Sequence, residues 1–294
     1  MRDSTDRFTT NSRRSNALAI TLAVLTVAPF APAQRKAQPP KSVRLYVFDC
    51  GSLNIPDTSP YQLKPEELAT TYMSVACFLV AHPKGTMIWD AGAVPDSAFK
   101  SVSGPATLRY ATSAKPLTAQ MAEIGYAPAD ITYLALSHFH WDHVGNANVF
   151  AGSTWLVRKL ERDIMFGDPP SPRTEPANYS ALKNSKTRIV TKKDYDVFGD
   201  GTVVLKSAPG HSPDHQVLFL KLAKTGPVVI SGDLYHYPEE RTLKKVPTTE
   251  FNREQSAASR AAIEAFLASA HAQLWIQHDF NAVAKLNKAP KYYE

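Results

Sequence analysis

The chain has 294 residues, 44% of them apolar and 20% charged, with a formal net charge of +6. These are values of an ordinary soluble globular protein, long enough for one large domain or two small ones. They exclude a nucleic-acid footprint: Arg2, Arg7, Arg13 and Arg14 against Asp3 and Asp6 put +2 in the first 33 residues, and the remainder forms no long basic run. The stretch Leu243-Lys244-Lys245 reads as a solvated loop.

In chain order, arginines precede the apolar stretch Ala17 to Val27, and small residues follow it, ending in Ala31-Pro32-Ala33. This is the pattern of a secretory signal peptide. The stretch has 11 residues, too few for the ~20 that span a bilayer as a helix. The expectation is a signal peptide over residues 1–33, a polar, proline-rich linker over 34–41 and a single domain over 42–294. The mature protein is then periplasmic or secreted, without stable membrane insertion. The competing reading is an uncleaved N-terminal anchor, and Arg13-Arg14 is only a weak twin-arginine signal.

Strands are expected at Val43 to Phe48, Met73 to Val80 and Thr86 to Trp89, the last two joined by the turn Pro83-Lys84-Gly85. A helix is expected from Leu117 to Ile124, stopped by Gly125. Ile131 to Leu136 and Trp155 to Val157 read as strands, and Leu160 to Phe166 as a helix. Residues 167–185, rich in Pro, Ser and Asn, read as an irregular excursion, either lining a site or lying plainly on the surface. Strands follow at Thr202 to Lys206, Gln216 to Leu222 and Val228 to Ile230. The clearest helix runs from Arg253 to Ala270, with Ala261, Ile263, Phe266 and Leu267 on one side, and Leu274 to Ile276 is a last strand. This order suggests an α/β layered domain. Cys50 and Cys77 could oxidise to a disulfide in an exported protein; the reading favours two buried thiols acting as small apolar residues.

The chemistry is concentrated in Ser137-His138-Phe139-His140-Trp141-Asp142-His143, directly after a strand. Imidazole nitrogen and carboxylate oxygen suit borderline divalent cations. Alternation along an extended chain aims His138 and His140 to one side, while Asp142 and His143 turn toward a second position. Three more metal-capable residues each follow an apolar β-run: His211 in Pro209-Gly210-His211, Asp233 in Gly232-Asp233 and His278 in Gln277-His278-Asp279.

This succession, with Trp89-Asp90-Ala91-Gly92 before it, resembles the metallo-β-lactamase superfamily over nearly all of the mature chain. The resemblance implies an αββα four-layer sandwich and two divalent metal ions. By the same resemblance His138, His140 and His211 hold one ion, Asp142, His143 and His278 the other, and Asp233 bridges them. Asp90 would orient the first cluster. Zinc is the default, and iron, manganese or cobalt suit the same donors. The flanks Tyr46-Val47-Phe48-Asp49-Cys50-Gly51, Val144-Gly145-Asn146 and Leu234-Tyr235-His236 resemble the N-acyl-homoserine lactonases. That likeness implies hydrolytic opening of an acyl lactone ring, and with it interference with bacterial signalling (quorum quenching). Hydroxide generated at the two metals would attack the carbonyl, and Asp142 would pass a proton to the leaving oxygen. Some lactonases place a tyrosine three residues after the bridging aspartate. Here His236 stands there and could donate the same hydrogen bond to the oxyanion.

Phe139, Trp141, Phe166 and Tyr179 are candidates to line an acyl channel. The family often forms dimers, so a homodimer is allowed. The alternatives are another ester, a thioester, a phosphoester or a β-lactam as substrate, or a non-catalytic metal-binding module. The common zinc β-lactamases carry cysteine at the position of Asp233, and flavodiiron enzymes carry glutamate at that of His140; this chain has neither.

Overall fold

The structure is a computed structural model that describes residues 36–99 and 115–294. The expected signal peptide lies outside the described residues. Residues of the expected linker that are described lie against the domain, through Ala37 N–H to the Gly125 carbonyl (2.9 Å) and Lys36 to Asp130 (2.7 Å).

Two mixed sheets form the frame. The first contains, in spatial order, β1 (Arg44–Asn54), β2 (Tyr72–His82), β3 (Gly85–Trp89), β4 (Tyr133–Ala135), β5 (Thr154–Val157) and β6 (Thr187–Ile189). Pairing is antiparallel from β1 to β3 and parallel from β3 to β6. The second sheet contains β7 (Asp194–Asp196), β8 (Val203–Ser207), β9 (Gln216–Leu222), β10 (Gly226–Ile230) and β11 (Gln273–Trp275), with β10 and β11 parallel. The helices are α1 (Leu117–Glu123), α2 (Trp141–Val144), α3 (Lys159–Met165), α4 (Pro176–Tyr179), α5 (Pro238–Thr242), α6 (Arg253–Ala270) and α7 (Phe280–Lys285). None of the described helices is long and apolar enough to cross a membrane.

Alternating side chains divide the apolar residues into three cores. In β1, Leu45 and Val47 face a core shared with Leu218, Leu220, Val228 and Ile230 of the second sheet. Their neighbours Tyr46 and Phe48 face outward, onto a core with Leu117 and Met121 of α1 and Tyr179 of α4. In β9, Val217 and Phe219 face Ile263 and Leu267 of α6. Strands with both faces covered need this period of two with apolar residues on each face. Helix, sheet, sheet and helix are thereby stacked as the expected αββα sandwich.

Two local expectations are corrected. Cys50 and Cys77 are joined in a disulfide, with Cα atoms 5.8 Å apart. The β1–β2 register pairs Phe48 with Cys77 and shifts between Asp49 and Ser52, which sets Cys50 beside Cys77. Strand register of this kind is not written in the residue pattern. In α6, Ile263 and Leu267 are buried but Ala261 is exposed, since positions two apart on a helix lie ~200° apart around its axis. The helix is capped by Asn252, whose side chain accepts from Gln255 N–H (3.0 Å).

Candidate metal centre

All seven candidate donors meet where loops leave the two sheets. The first sheet contributes one segment: β4 ends at Ala135 and the chain runs extended through His138 and His140 into α2, which carries Asp142 and His143. The second sheet contributes three: His211 between β8 and β9, Asp233 after β10 and His278 after β11. His138, His140, His211 and Asp233 form one buried group, and Asp142, His143 and His278 another.

The donor atoms face each other. His138 Nε2 lies 2.7 Å from His140 Nδ1, and His211 Nε2 lies 3.2 and 3.0 Å from these two. His143 Nε2 and His278 Nε2 are 3.3 Å apart, with Asp142 Oδ2 at 3.8 and 3.7 Å from them. Asp233 lies between the groups. Its Oδ1 is 3.0 Å from both His143 and His278, and its Oδ2 is 3.2 Å from His211 and 3.6 Å from His138.

The outer ring nitrogens explain why these edges turn inward. His138 Nδ1 lies 3.0 Å from Ser137 Oγ, which donates to Asp90 Oδ2 (2.9 Å). His143 Nδ1 donates to the same Asp90 oxygen (2.8 Å) and His278 Nδ1 to the Ser74 carbonyl (2.7 Å). His211 Nδ1 faces Glu250 at 3.5 Å. Each of these four rings therefore presents Nε2 inward, while His140 presents Nδ1. A histidine whose outer nitrogen is held by an acceptor has its tautomer fixed for a metal on the other nitrogen. Asp233 Oδ1 accepts no hydrogen bond although buried. Converging lone pairs and an unsatisfied carboxylate oxygen fit two divalent cations.

Electrostatics divide the histidines into two sets. Burial holds His138 and His140 well below the ordinary imidazole range, leaving their lone pairs free. Burial acts the same way on His143 and His211 but is outweighed by Asp233 with Asp90 and Asp142 at the first, and by Asp233 with Glu250 at the second. For Asp233, burial opposes ionisation, and the surrounding histidines overcome it and hold the carboxyl well below its usual range.

Four supporting residues were missed by sequence reasoning. His215 accepts from Asp233 N–H at Nε2 (3.0 Å) and donates from Nδ1 to the Ala208 carbonyl (3.0 Å). Burial pushes it down to about 3, so it is neutral. Glu161 accepts from Phe139 N–H (3.1 Å), Ser212 Oγ (2.6 Å) and Asp214 N–H (2.8 Å). It ties the His138–His140 segment to the His211 turn. Glu240 accepts from His236 Nδ1 (3.2 Å) and from Arg260 Nη2 (2.6 Å). Glu250, fourth, is described above. Glu161, His215 and Glu250 lie far in sequence from what they support, Glu240 is four residues from His236, and no local motif marks any of them. Gly232, at φ +50°, is required: a Cβ there would come 2.7 Å from both His215 Nε2 and Ser137 Cβ.

A cavity of about 180 Å³ opens onto the donors, lined on its apolar side by Leu53, Ile55, Tyr61, Met73 and Trp141 and elsewhere by Arg173, His236 and Thr249. His236 is buried, with Nε2 3.3 Å from Asp233 Oδ2 and Tyr61 edge-on at 4.9 Å. Burial lowers its basicity, but Glu240 and Asp233 outweigh this and push it up to about 10. Of the four aromatic residues expected at the channel, only Trp141 lines the cavity. Phe139 points away from the side taken by His138 and His140, into the core. Tyr179 is fully buried with its hydroxyl on the Met165 carbonyl (2.8 Å), and Phe166 packs between Trp155 and Tyr179. The excursion over residues 167–185 contains α4 and delivers Arg173 to the cavity.

The chain is similar to known proteins. Residues 70–273 match the model of the metallo-beta-lactamase superfamily. The chain is 26% identical over 271 residues to N-acyl homoserine lactonase AttM of Azorhizobium caulinodans, covering 86% of this chain and 99% of that one. It is 26% identical over 258 residues to N-acyl homoserine lactonase AiiA of Bacillus thuringiensis subsp. kurstaki, covering 85% and 98%. A solved quorum-quenching N-acyl homoserine lactone lactonase superposes with a TM-score of 0.72 at 24% identity, covering 85% of this chain and 98% of that one. AidC, a dizinc quorum-quenching lactonase solved with a product, superposes at 0.64 and 17% identity, covering 88% and 96%. The family match spans most of both sheets and takes in His138, His140, Asp142, His143, His211 and Asp233; the chain belongs to the metallo-beta-lactamase superfamily.

Proposed function

We propose that the protein is a metal-dependent hydrolase that opens the lactone ring of N-acyl-homoserine lactones. The observation that carries this reading is Asp233, whose two oxygens face two donor groups across one cavity. The lactonase names of the relatives above support the substrate class. His138, His140 and His211 would hold one cation, Asp142, His143 and His278 the other, and Asp233 both; zinc is the proposed metal. When bound, such a pair acidifies water and polarises an ester carbonyl.

The chain's own side chains do the rest. In this role His236 would be protonated on both nitrogens, with Nδ1 on Glu240 (3.2 Å) and Nε2, which lies 3.3 Å from Asp233 Oδ2, at the cavity. It donates to the oxygen that gains charge as the ring carbonyl is attacked. Asp142 borders the cavity with its carboxylate partly accessible. Asp142 takes up the proton that the attacking water loses and passes it to the departing ring oxygen. Leu53, Ile55 and Met73 provide an apolar wall along which the acyl chain leaves the small cavity. The N-terminal pattern and the Cys50–Cys77 disulfide support an exported, single-domain mature protein.

The test is acid release from short- and long-chain acyl-homoserine lactones in a pH-stat, with metal content determined on the same sample. Two metals per chain with rapid acid release is the expected result. Two metals with no acid release removes the lactonase reading and leaves other esters and β-lactams to be tried. Asp142→Asn, loaded to the metal content of the wild type, is expected to lower kcat at least 100-fold.

A further inference from the structure

We propose that Arg173 is the specificity-determining residue of the cavity, binding the acylamino oxygen that N-acyl-homoserine lactones carry beside the scissile ester. This rests on the lactonase reading above. Arg173 lies in the excursion before α4 and crosses to the other wall of the cavity, where Nη2 donates to the Thr249 carbonyl (2.9 Å). Its only other polar contact among the described residues is Nη1 at 3.5 Å from His140 Nε2. No carboxylate pairs with it there.

That second contact is not a stable hydrogen bond once His140 serves as a ligand. His140 turns Nδ1 toward His138 and His211. A neutral imidazole that uses the Nδ1 lone pair carries its proton on Nε2, and guanidinium has only donors. Two donors then face each other, and Nη1 is free to find an acceptor in the cavity. An unpaired cation beside a cluster built for metal cations is electrostatically unfavourable unless something electronegative comes between or beside them. Arg173 is half-buried, so solvent meets this donor until a substrate oxygen replaces it.

Geometry selects which oxygen. The guanidinium stands at the outer edge of the His140 ring, opposite the edge that joins the converging donors. An ester carbonyl activated at those donors is a full imidazole ring away from Nη1. The amide oxygen of an acylamino substituent lies several bonds further along the substrate, on the scale of that gap. Arginine, with Nη2 already anchored on Thr249, holds its Nη1–H donors in a fixed plane for a carbonyl acceptor.

The experiment compares N-hexanoyl-homoserine lactone with γ-butyrolactone, which lacks the acylamino group, in the metal-loaded wild type and in Arg173→Met and Arg173→Lys. Calorimetric binding of the ring-opened product N-hexanoyl-homoserine is measured on the same samples. Loss of one charged hydrogen bond predicts a fall of about 10- to 100-fold in kcat/KM for the acyl lactone, mainly through KM. Product affinity falls in parallel, γ-butyrolactone turnover changes less than about threefold, and Arg173→Lys recovers only part of the loss. Equal losses on both lactones overturn the proposal, because Arg173 then acts on the ring or on the metal donors. An unchanged acyl lactone KM overturns it as well. A wild type that opens neither lactone defeats the lactonase reading itself, a result distinct from a lactonase indifferent to Arg173.

Discussion

Replacing Asp90 with asparagine tests how the donor cluster is held. Asp90 Oδ1 accepts from Ser137 N–H (2.6 Å), and Oδ2 accepts from Ser137 Oγ (2.9 Å), His143 Nδ1 (2.8 Å) and Gln277 Nε2 (2.8 Å). Asparagine keeps the shape but turns one oxygen into a donor. Its less costly orientation sets the amide against Ser137 N–H, so one charge-assisted bond is lost and two buried donors face each other. The other three bonds weaken because their acceptor is neutral. At about 1.5–3 kcal/mol for a bond to a charged group, plus the unsatisfied donor, the loss is about 3–5 kcal/mol. The backbone adds nothing to this. Asp90 sits at φ +55°, a conformation that asparagine adopts as readily as aspartate. Asp90 also fixes His143 directly and His138 through Ser137, so one side chain supports both donor groups. Metal affinity is expected to fall about 10- to 100-fold. Urea unfolding of chelator-treated protein measures the first effect, and competition with a chromophoric chelator measures the second. A variant within 1 kcal/mol of the wild type that binds metal equally well would refute the reasoning.

Burial pushes the Glu161 carboxyl up to about 7 against the hydrogen bonds that favour its charge. A raised pKa means a contribution fully present below about pH 4.5 and lost as pH rises through 7. The stability gap between metal-free wild type and Glu161→Gln should therefore shrink across that window, by on the order of 3 kcal/mol; a gap independent of pH in thermal melts would count against it. Gly232→Ala forces a left-handed backbone and a close contact with His215 and Ser137. It should cost about 2–4 kcal/mol and lower bound metal, read by melting and elemental analysis. Reducing Cys50–Cys77, which closes a 27-residue separation, should lower unfolding free energy by about 2–4 kcal/mol in denaturant titrations under matched metal content.

Long apolar runs made the frame legible. The limits of β9 and α6 agree residue for residue with the sequence reading, because each is strongly periodic and ends at turn or cap residues. The three-residue strands β6 and β7 were not anticipated. Thr187–Ile189 has its last two residues exposed and Asp194–Asp196 carries two aspartates, so their pairing partners, not their own composition, make them strands. The helices α5 and α7 were missed for a related reason: each is at most six residues long, too short to show a 3.6-residue period. In the candidate site, donors in one dense cluster or after a β-run could be read directly. Glu161, His215, Glu250 and Arg173 could not, since each acts on a segment distant in sequence, and Glu240, four residues from His236, carries no motif. The acyl-wall residues failed for a simpler reason. Aromatic character signals burial as strongly as it signals a channel, and Phe139 and Tyr179 are buried.

The donors come from both halves of the sandwich, and partners such as His143 and His278 are 135 residues apart. Neither half alone supplies a complete set. Tight metal capture therefore has to wait until the chain has brought the ends of β4 and β11 together. Occupancy becomes a reporter of completed folding: a cobalt-loaded sample would acquire its visible spectrum only as the two sheets close. In the opposite direction, a chelator removes the cross-ties between loops of the two sheets while leaving the apolar core around Leu218, Val228 and Ile230 in place. Stripped protein should keep slow amide exchange in β9 and β10 and lose protection first around residues 137–144, 210–212 and 232–236.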